Sequence, residues 1–123
     1  MSYKRDFGVY NKSLAIVEND TSKYKLSDRV ISNIKFILRE LQKFKTPIAY
    51  SFEGMSDDSV RMEWWNRKTI VKNTRGLYLD VFSDNIIITL VHGVSISSEV
   101  FIKFSSQTLI EDIVKNIENL SIK

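Results

Sequence analysis

The fold is decided by residues 77–91, which read LYLDVFSDNIIITLV. Asp84 and Asn85 separate two runs of strand-forming residues, and both residue types tolerate the positive φ that a two-residue turn requires. The stretch therefore predicts a β-hairpin that folds back at Asp84-Asn85. In this register the facing pairs are Ser83 with Ile86, Phe82 with Ile87, Val81 with Ile88, Leu79 with Leu90, and Tyr78 with Val91.

The predicted hairpin has two different sides, because successive side chains of a strand point to opposite faces. The first side is purely aliphatic and carries Leu77, Leu79, Val81, Ile86, Ile88 and Leu90. The second side is mixed but still rich in apolar groups, and it carries Tyr78, Asp80, Phe82, Ile87, Thr89 and Val91. A slip of one residue would place Asp80 among the aliphatic groups, so the pattern fixes which side faces the core.

Residues 26–44 predict an amphipathic helix, because apolar residues recur there at spacings of three and four. Ser27 is suited to the N-cap, and Asp28 in the first turn complements the helix dipole. Pro47 predicts the end of the helix, since the residue before proline disfavours helical geometry.

A second amphipathic helix is predicted over residues 108–120, where Thr108 and Glu111 have the spacing of a capping box. Both helices have one apolar side, so both are expected to cover the aliphatic side of the sheet. Further strands are predicted at 48–53, 60–65 and 99–104, with a possible short one at 69–72. The 48–53 and 60–65 strands form a second hairpin around a loop at 54–59.

The chain is 123 residues long, which predicts one domain that needs no metal or disulfide for stability. The expected fold is α+β: a mostly antiparallel sheet of five or six strands with both helices on one face. Residues 1–25 form an N-terminal arm in this interpretation, with one possible strand at 13–17.

The composition narrows the classes of function. The chain has no cysteine, which excludes disulfides and thiolate chemistry. It has no apolar run long enough for a membrane span and no apolar run typical of a signal peptide, so a cytoplasmic protein without membrane association is expected. Residues 1–45 hold ten Lys and Arg against five Asp and Glu, which could steer an acidic partner towards that part, or simply reflect solvated helix faces.

Residues suited to catalysis are sparse. His92 is the single histidine, and a zinc site would want several His or Cys ligands. Asp57 and Asp58 could hold a hard cation, but acidic turns are common. Phosphate-binding loops, dinucleotide fingerprints and nucleophile elbows are absent from the sequence. We therefore expect a non-enzymatic protein with neither a metal nor a cofactor.

The second side of the predicted sheet is the leading candidate for a binding surface. Its apolar and aromatic members are Trp65, Tyr78, Phe82, Ile87, Val91 and Phe101. If this side is bare it is a large aromatic patch, and such patches mark interfaces. It would then serve for homodimerisation or for docking on a target, as in inhibitors, antitoxins and phage counter-defence factors. The alternative is that the arm or residues 66–76 cover this side within one subunit.

The layout of a helix, Pro47, a Glu53-Gly54 turn and the Met62-Glu63-Trp64 motif resembles that of small bacterial and phage proteins. The resemblance implies no particular function. A second possible contact lies on the polar side of the first helix, where Phe36 is placed among the cations Arg29, Arg39 and Lys43. Phe36 is either an anchor for a partner or a residue that packs beneath the N-terminal arm or beneath the aliphatic stems of Arg and Lys side chains.

A single-stranded nucleic-acid-binding protein is the alternative function. Aromatic rings beside Lys and Arg are the usual means of binding single strands. The residues that fit this pattern are Arg61, Trp65, Arg67, Lys68, Lys72, Arg75 and Tyr78. Glu63 and Asp80 interrupt the same side of the sheet, and the net charge of +3 is modest for a dedicated binder.

Overall fold

The structure, a computed structural model, describes residues 26–46, 49, 51–104 and 109–122. The elements are α1 (Asp28–Lys43), β1 (Ser51–Met55), β2 (Ser59–Asn66), a 3₁₀ turn (Val71–Asn73), β3 (Arg75–Val81), β4 (Asn85–His92), β5 (Ser95–Lys103) and α2 (Leu109–Asn119). The strands form one antiparallel sheet in the order β1-β2-β3-β4-β5. The α+β class and the antiparallel sheet are therefore confirmed.

Helix α1 begins where the sequence predicts. The Ser27 hydroxyl accepts a hydrogen bond from the backbone N–H of Val30 at 3.4 Å, and Asp28 occupies the first turn. The carboxylate of Asp58, in the loop between β1 and β2, accepts the N–H of Ser27 at 2.8 Å. Within the described residues, neither helix is long and apolar enough to cross a membrane.

The core lies between the two helices and the aliphatic side of the sheet. Leu77, Leu79, Val81, Ile86 and Ile88 are fully buried there, and Leu90 is partly buried against the same cluster. Strand β2 adds Val60, Met62 and Trp64, and the helices add Val30, Ile34, Ile37, Leu38, Leu41, Leu109, Ile113 and Ile117. The prediction that both helices cover this side is confirmed.

The predicted register of the β3–β4 hairpin is wrong by two residues. The turn lies at Ser83-Asp84, and the N–H of Phe82 donates to the carbonyl of Asn85 at 2.9 Å. Val81 therefore faces Ile86, and every predicted pair is displaced. A shift of two keeps each side chain on its predicted face, because the side-chain period of a strand is two.

A contact from α1 accounts for part of this shift. The side-chain amide of Asn33 donates to the carbonyls of Phe82 and Ser83 at 2.8 and 2.9 Å. These two carbonyls belong to the turn, so the helix contributes to the turn's position. Turn propensity alone, which favours Asp84-Asn85, contains no information about this contact.

Three other predicted boundaries differ from the structure. The loop between β1 and β2 spans residues 56–58 instead of 54–59, and Gly54 pairs with Val60 within the ladder. The predicted strand at 69–72 is wrong, since Val71–Asn73 forms a 3₁₀ turn closed by the bond from Thr74 N–H to Val71 O. Strand β5 starts at Ser95, four residues before the predicted start at 99. The predicted strand at 13–17 and the predicted cap Thr108 lie outside the described residues, as do Ile48 and Tyr50.

Candidate protein-interaction surface

The second side of the sheet is not the bare aromatic patch that the sequence suggests. Asp80, Thr89 and Val91 are buried at 7%, 4% and 8% exposure. Four of the predicted contact residues are only partly exposed, namely Trp65, Tyr78, Phe82 and Ile87. Val91 therefore has little surface to offer a partner, and of the six predicted members of this side only Phe101 is largely exposed, at 69%.

An ion pair fills the centre of this side. Arg61 and Asp80 lie opposite each other on β2 and β3. The guanidinium donates from Nε to one carboxylate oxygen at 2.7 Å and from a terminal nitrogen to the other at 3.1 Å. This hydrogen bonding to Asp80 raises the pKa of Arg61 above its ordinary value, against the opposing effect of burial. The pairing explains how a carboxylate can be buried between apolar strands.

Trp65 covers the neighbouring part of the same side. Its ring lies across Gly76, where an added Cβ would be 2.4 Å from the ring carbons. Its indole N–H donates to a carboxylate oxygen of Glu63 at 2.9 Å, and its ring meets Tyr78 edge-on with centroids 5.7 Å apart. Gly76 is thus required by the close approach of an aromatic ring.

The rings proposed to stack nucleic-acid bases already have cationic neighbours. The Arg67 guanidinium lies 5.0 Å from the centre of the Trp65 ring, and the Arg61 guanidinium lies 4.7 Å from the centre of the Tyr78 ring. A base would have to displace these groups in order to stack. Three further cations of the predicted set remain exposed, namely Lys68, Lys72 and Arg75.

The described residues include eight exposed large apolar side chains, and four of them lie in β5 and the turn before it. All residues from 95 to 101 are exposed. Val94 in the preceding turn, Ile96, Val100 and Phe101 are exposed at 89%, 64%, 44% and 69%. β5 is the last strand of the sheet, so its outer edge faces away from β4. β5 therefore combines exposed apolar side chains with an edge that pairs with no other strand among the described residues.

On the core side of the sheet, burial decreases along β5, since Ile102 belongs to the buried cluster and Val100 does not. Val100 lies directly opposite Ile88 and points to the same side. Ile88 is fully buried, whereas nearly half of Val100 is exposed. The residues that the sequence interpretation missed are Val94, Ile96 and Val100. Their only signal in the sequence is the position of β5 at the end of a run of hairpins, which makes it an edge strand.

A β-bulge limits the straight part of this edge. Leu90 faces Ser98, but the next residue, Val91, faces Ile96, so Ser97 is an extra residue in β5. The Ser97 hydroxyl donates to the carbonyl of Leu90 at 3.2 Å. Because a bulge bends its strand, the regular part of β5 runs from Ser98 to Lys103.

Phe36 extends the apolar surface at one end of β5. Its ring meets the ring of Phe104 with centroids 6.0 Å apart, and 44% of Phe36 remains exposed. The cations predicted to surround it have other neighbours: Arg29 lies 3.5 Å from Asp84, and Lys43 lies 2.7 Å from Glu40. Arg39 is exposed. The possible contact of Phe36 with the N-terminal arm lies outside the described residues.

The other candidate groups take part in ordinary structure. The Asp57 carboxylate accepts a hydrogen bond from the Ser59 hydroxyl at 2.5 Å, and Asp58 binds the N-terminus of α1. His92 is exposed and lines a groove with Lys68, Asn73 and Arg75, and the described lining of this groove includes no Asp or Glu. Among the described residues, no group of three or more His, Asp or Glu side chains could hold a metal ion.

Comparison of the chain with protein-family models, with curated proteins and with solved structures found no match. Among the described residues, the edge of β5 is the feature that most clearly departs from an ordinary solvated surface.

Proposed function

We propose that the protein is a small, non-enzymatic interaction module that binds another protein chain through the edge strand β5. One observation supports the proposal above others. Residues 95–101 are exposed on the terminal strand of the sheet, and four large apolar side chains lie on this strand and in its preceding turn.

An edge strand presents N–H and C=O groups to which another extended chain can add. In such strand addition, backbone hydrogen bonds supply affinity and the side chains on both faces supply specificity. Val100 and Phe101 point to opposite faces, so an added strand would meet an apolar group on each. A strand edge that exposes large apolar side chains without a partner favours aggregation, so a binding role explains why Val100 and Phe101 are exposed there.

A module of this kind would act by occupying a surface of its target. Small inhibitors, antitoxins and phage counter-defence factors work in this way, and we place the chain in this functional group. We expect it to act in the cytoplasm. The proposed contact lies at the β5 border of the second sheet side and not at its middle, and Phe101 belongs to both surfaces.

The proposal is tested with Phe101→Asp, which places a charge on the exposed edge. The matched control is Ile70→Asp, since Ile70 is 55% exposed but lies beside the 3₁₀ turn Val71–Asn73. We expect the wild-type protein to bind a protein chain, either itself or a purified target. Phe101→Asp should weaken that binding at least tenfold, and Ile70→Asp should leave it unchanged.

Self-association is measured by light scattering. Binding to a target is measured by titrating the protein over the target immobilised on a sensor surface. Both variants should keep their free energy of unfolding within about 0.5 kcal/mol of wild type, as expected for exposed positions. Undiminished binding by Phe101→Asp, or a wild-type protein that binds no protein chain at all, would refute the proposal.

A single-stranded nucleic-acid binder is the second candidate, supported by the exposed cations Lys68, Lys72 and Arg75. Its test is the fluorescence of the two tryptophans during titration with a single-stranded oligonucleotide. Binding should weaken steeply with salt, because phosphate contacts release counterions. It should be lost in a Lys72→Glu/Arg75→Glu double variant and retained in Phe101→Asp. Salt-independent binding, or none at low salt, excludes this candidate.

A further inference from the structure

We propose that the chain bound by β5 is a second copy of this protein, paired antiparallel about a two-fold axis beside Phe101. The inference rests on the proposed function, because it identifies the occupant of the same edge. Two five-stranded sheets would then form one continuous sheet. The helices of both copies would lie on one side of that sheet.

The backbone groups of β5 point alternately to β4 and to the outer edge of the sheet. The N–H of Phe104 donates to the carbonyl of Asp84 at 2.8 Å, in the same register that pairs Ile102 with Ile86. Along an antiparallel pair, the bonded groups alternate from one residue to the next. Residues 100, 102 and 104 therefore direct their N–H and C=O groups towards β4. Glu99, Phe101 and Lys103 direct theirs to the outer edge.

This alternation restricts how a second copy can pair. In the regular part of β5, only the odd-numbered residues direct their backbone N–H and C=O groups outward. In an antiparallel pair these groups bond to the same groups of the facing residue, so odd-numbered residues of one copy must face odd-numbered residues of the other. Residues that face each other point to the same side of the combined sheet. The second sides of both copies therefore meet on one side of the combined sheet, and the helix-covered sides meet on the other.

Charge then selects one register. With the axis at Phe101, the two Phe101 rings are neighbours, and Glu99 faces the partner's Lys103 in two symmetric positions. Opposite charges in facing positions stabilise a sheet, and like charges destabilise it. Both side chains are exposed and have no ion pair within the described part of the chain, so they are available for this contact.

The neighbouring registers are less favourable, because none of them places Glu99 opposite Lys103. An axis at Glu99 or at Lys103 places two like charges opposite each other. An axis at Val100 places Glu99 opposite Phe101, and an axis at Ile102 places Lys103 opposite Phe101. Only the axis at Phe101 pairs both charges and both aromatic rings.

The same register accounts for the exposed apolar groups. On the second side, the Phe101 rings would lie between the Ile87 side chains of the two copies, because Phe101 faces Ile87 within its own sheet. On the helix-covered side, Val100 would face the partner's Ile102 and extend the apolar layer. The bulge at Ser97 bends the strand away, so pairing is confined to residues 98–104.

The test is a charge exchange measured by sedimentation equilibrium. The wild-type protein should be a dimer, and Glu99→Lys or Lys103→Glu alone should raise the dissociation constant about tenfold or more, because each creates two repulsive pairs. The double variant Glu99→Lys/Lys103→Glu should recover affinity close to wild type. Lys115→Glu, an exposed charge reversal on α2, serves as the control and should change nothing.

Amide hydrogen exchange gives a second readout. Raising the protein concentration should slow exchange at Glu99, Phe101 and Lys103 and leave Val100 unchanged, because only the odd residues gain bonds.

A dimer that is insensitive to the single charge reversals, or that the double variant does not restore, overturns the inference. A monomer at all concentrations that still binds a target through Phe101 overturns it as well but leaves the proposed function standing. If neither form of binding occurs, both proposals fail.

Discussion

Ile88 and Val100 face each other on neighbouring strands and point to the same side of the sheet, yet Ile88 is fully buried and Val100 is 44% exposed. The same contrast separates the whole β3–β4 hairpin from β5. The hairpin has helices on one side and the Arg61–Asp80 pair and Trp65 on the other. β5 has neither cover over residues 95–101.

The difference shows that alternation of apolar residues specifies a strand, but it does not specify which other parts of the protein bury the side chains of that strand. Both regions alternate, and both form regular ladders. Cover depends on the order of strands in the sheet and on the width of the two helices. β5 is last in that order among the described strands, and its apolar side chains Ile96, Val100 and Phe101 are exposed.

The largest expected effect tests this contrast at the facing pair. Ile88→Ala should lower the free energy of unfolding by about 2–5 kcal/mol, because it leaves a cavity in a packed core. Val100→Ala should cost less than about 1 kcal/mol, since water already contacts this side chain. Urea unfolding at a concentration where the monomer predominates measures both. Equal losses would show that β5 is as well covered as the hairpin.

A smaller effect tests the cover on the second side. Gly76→Ala should destabilise the protein by about 1–3 kcal/mol, because the new methyl group displaces the Trp65 ring from β3. The displacement should also change the tryptophan fluorescence of the folded state. Ser98→Ala on exposed β5 is the control, expected within about 0.5 kcal/mol of wild type. Wild-type stability and fluorescence in Gly76→Ala would mean that the Trp65 cover is dispensable.

The smallest effect compares the two hairpin turns. Asn33→Ala should cost about 1–2 kcal/mol, because it removes the donor shared by the carbonyls of Phe82 and Ser83. Val94→Asp in the exposed β4–β5 turn should stay within about 0.5 kcal/mol of wild type. Thermal or urea unfolding of both variants measures the two losses of stability. A loss in Val94→Asp as large as that in Asn33→Ala would contradict the view that only the first turn is held by a helix.

Much of the fold could be predicted because it depends on local patterns. The helix over 26–44 follows from its apolar period and from Ser27, and the structure places it at Asp28–Lys43. The two faces of the 77–91 hairpin follow from strict alternation, and they survive the two-residue error in register. The false strand at 69–72 shows the opposite case, since Val71–Asn73 form a 3₁₀ turn and none of the described strands pairs with this segment.

The candidate surface was harder to predict than the fold. The sequence indicated Phe101 but gave equal weight to Val91, which the structure buries. It placed Asp80 on the second side of the sheet but did not predict that Arg61 pairs with it and allows it to be buried. These outcomes depend on which side chains reach across strands, and a linear pattern does not contain that information.

The sequence by itself determined the class of this protein: two amphipathic helices, an antiparallel sheet and a hairpin with one aliphatic side. These features arise from periodicity, which each segment carries alone. Only the tertiary structure decided the turn at Ser83-Asp84, the filling of the second side by Arg61 and Trp65, and the exposure of β5. Each of these depends on contacts between segments distant in sequence, because burial is a property of neighbours in space.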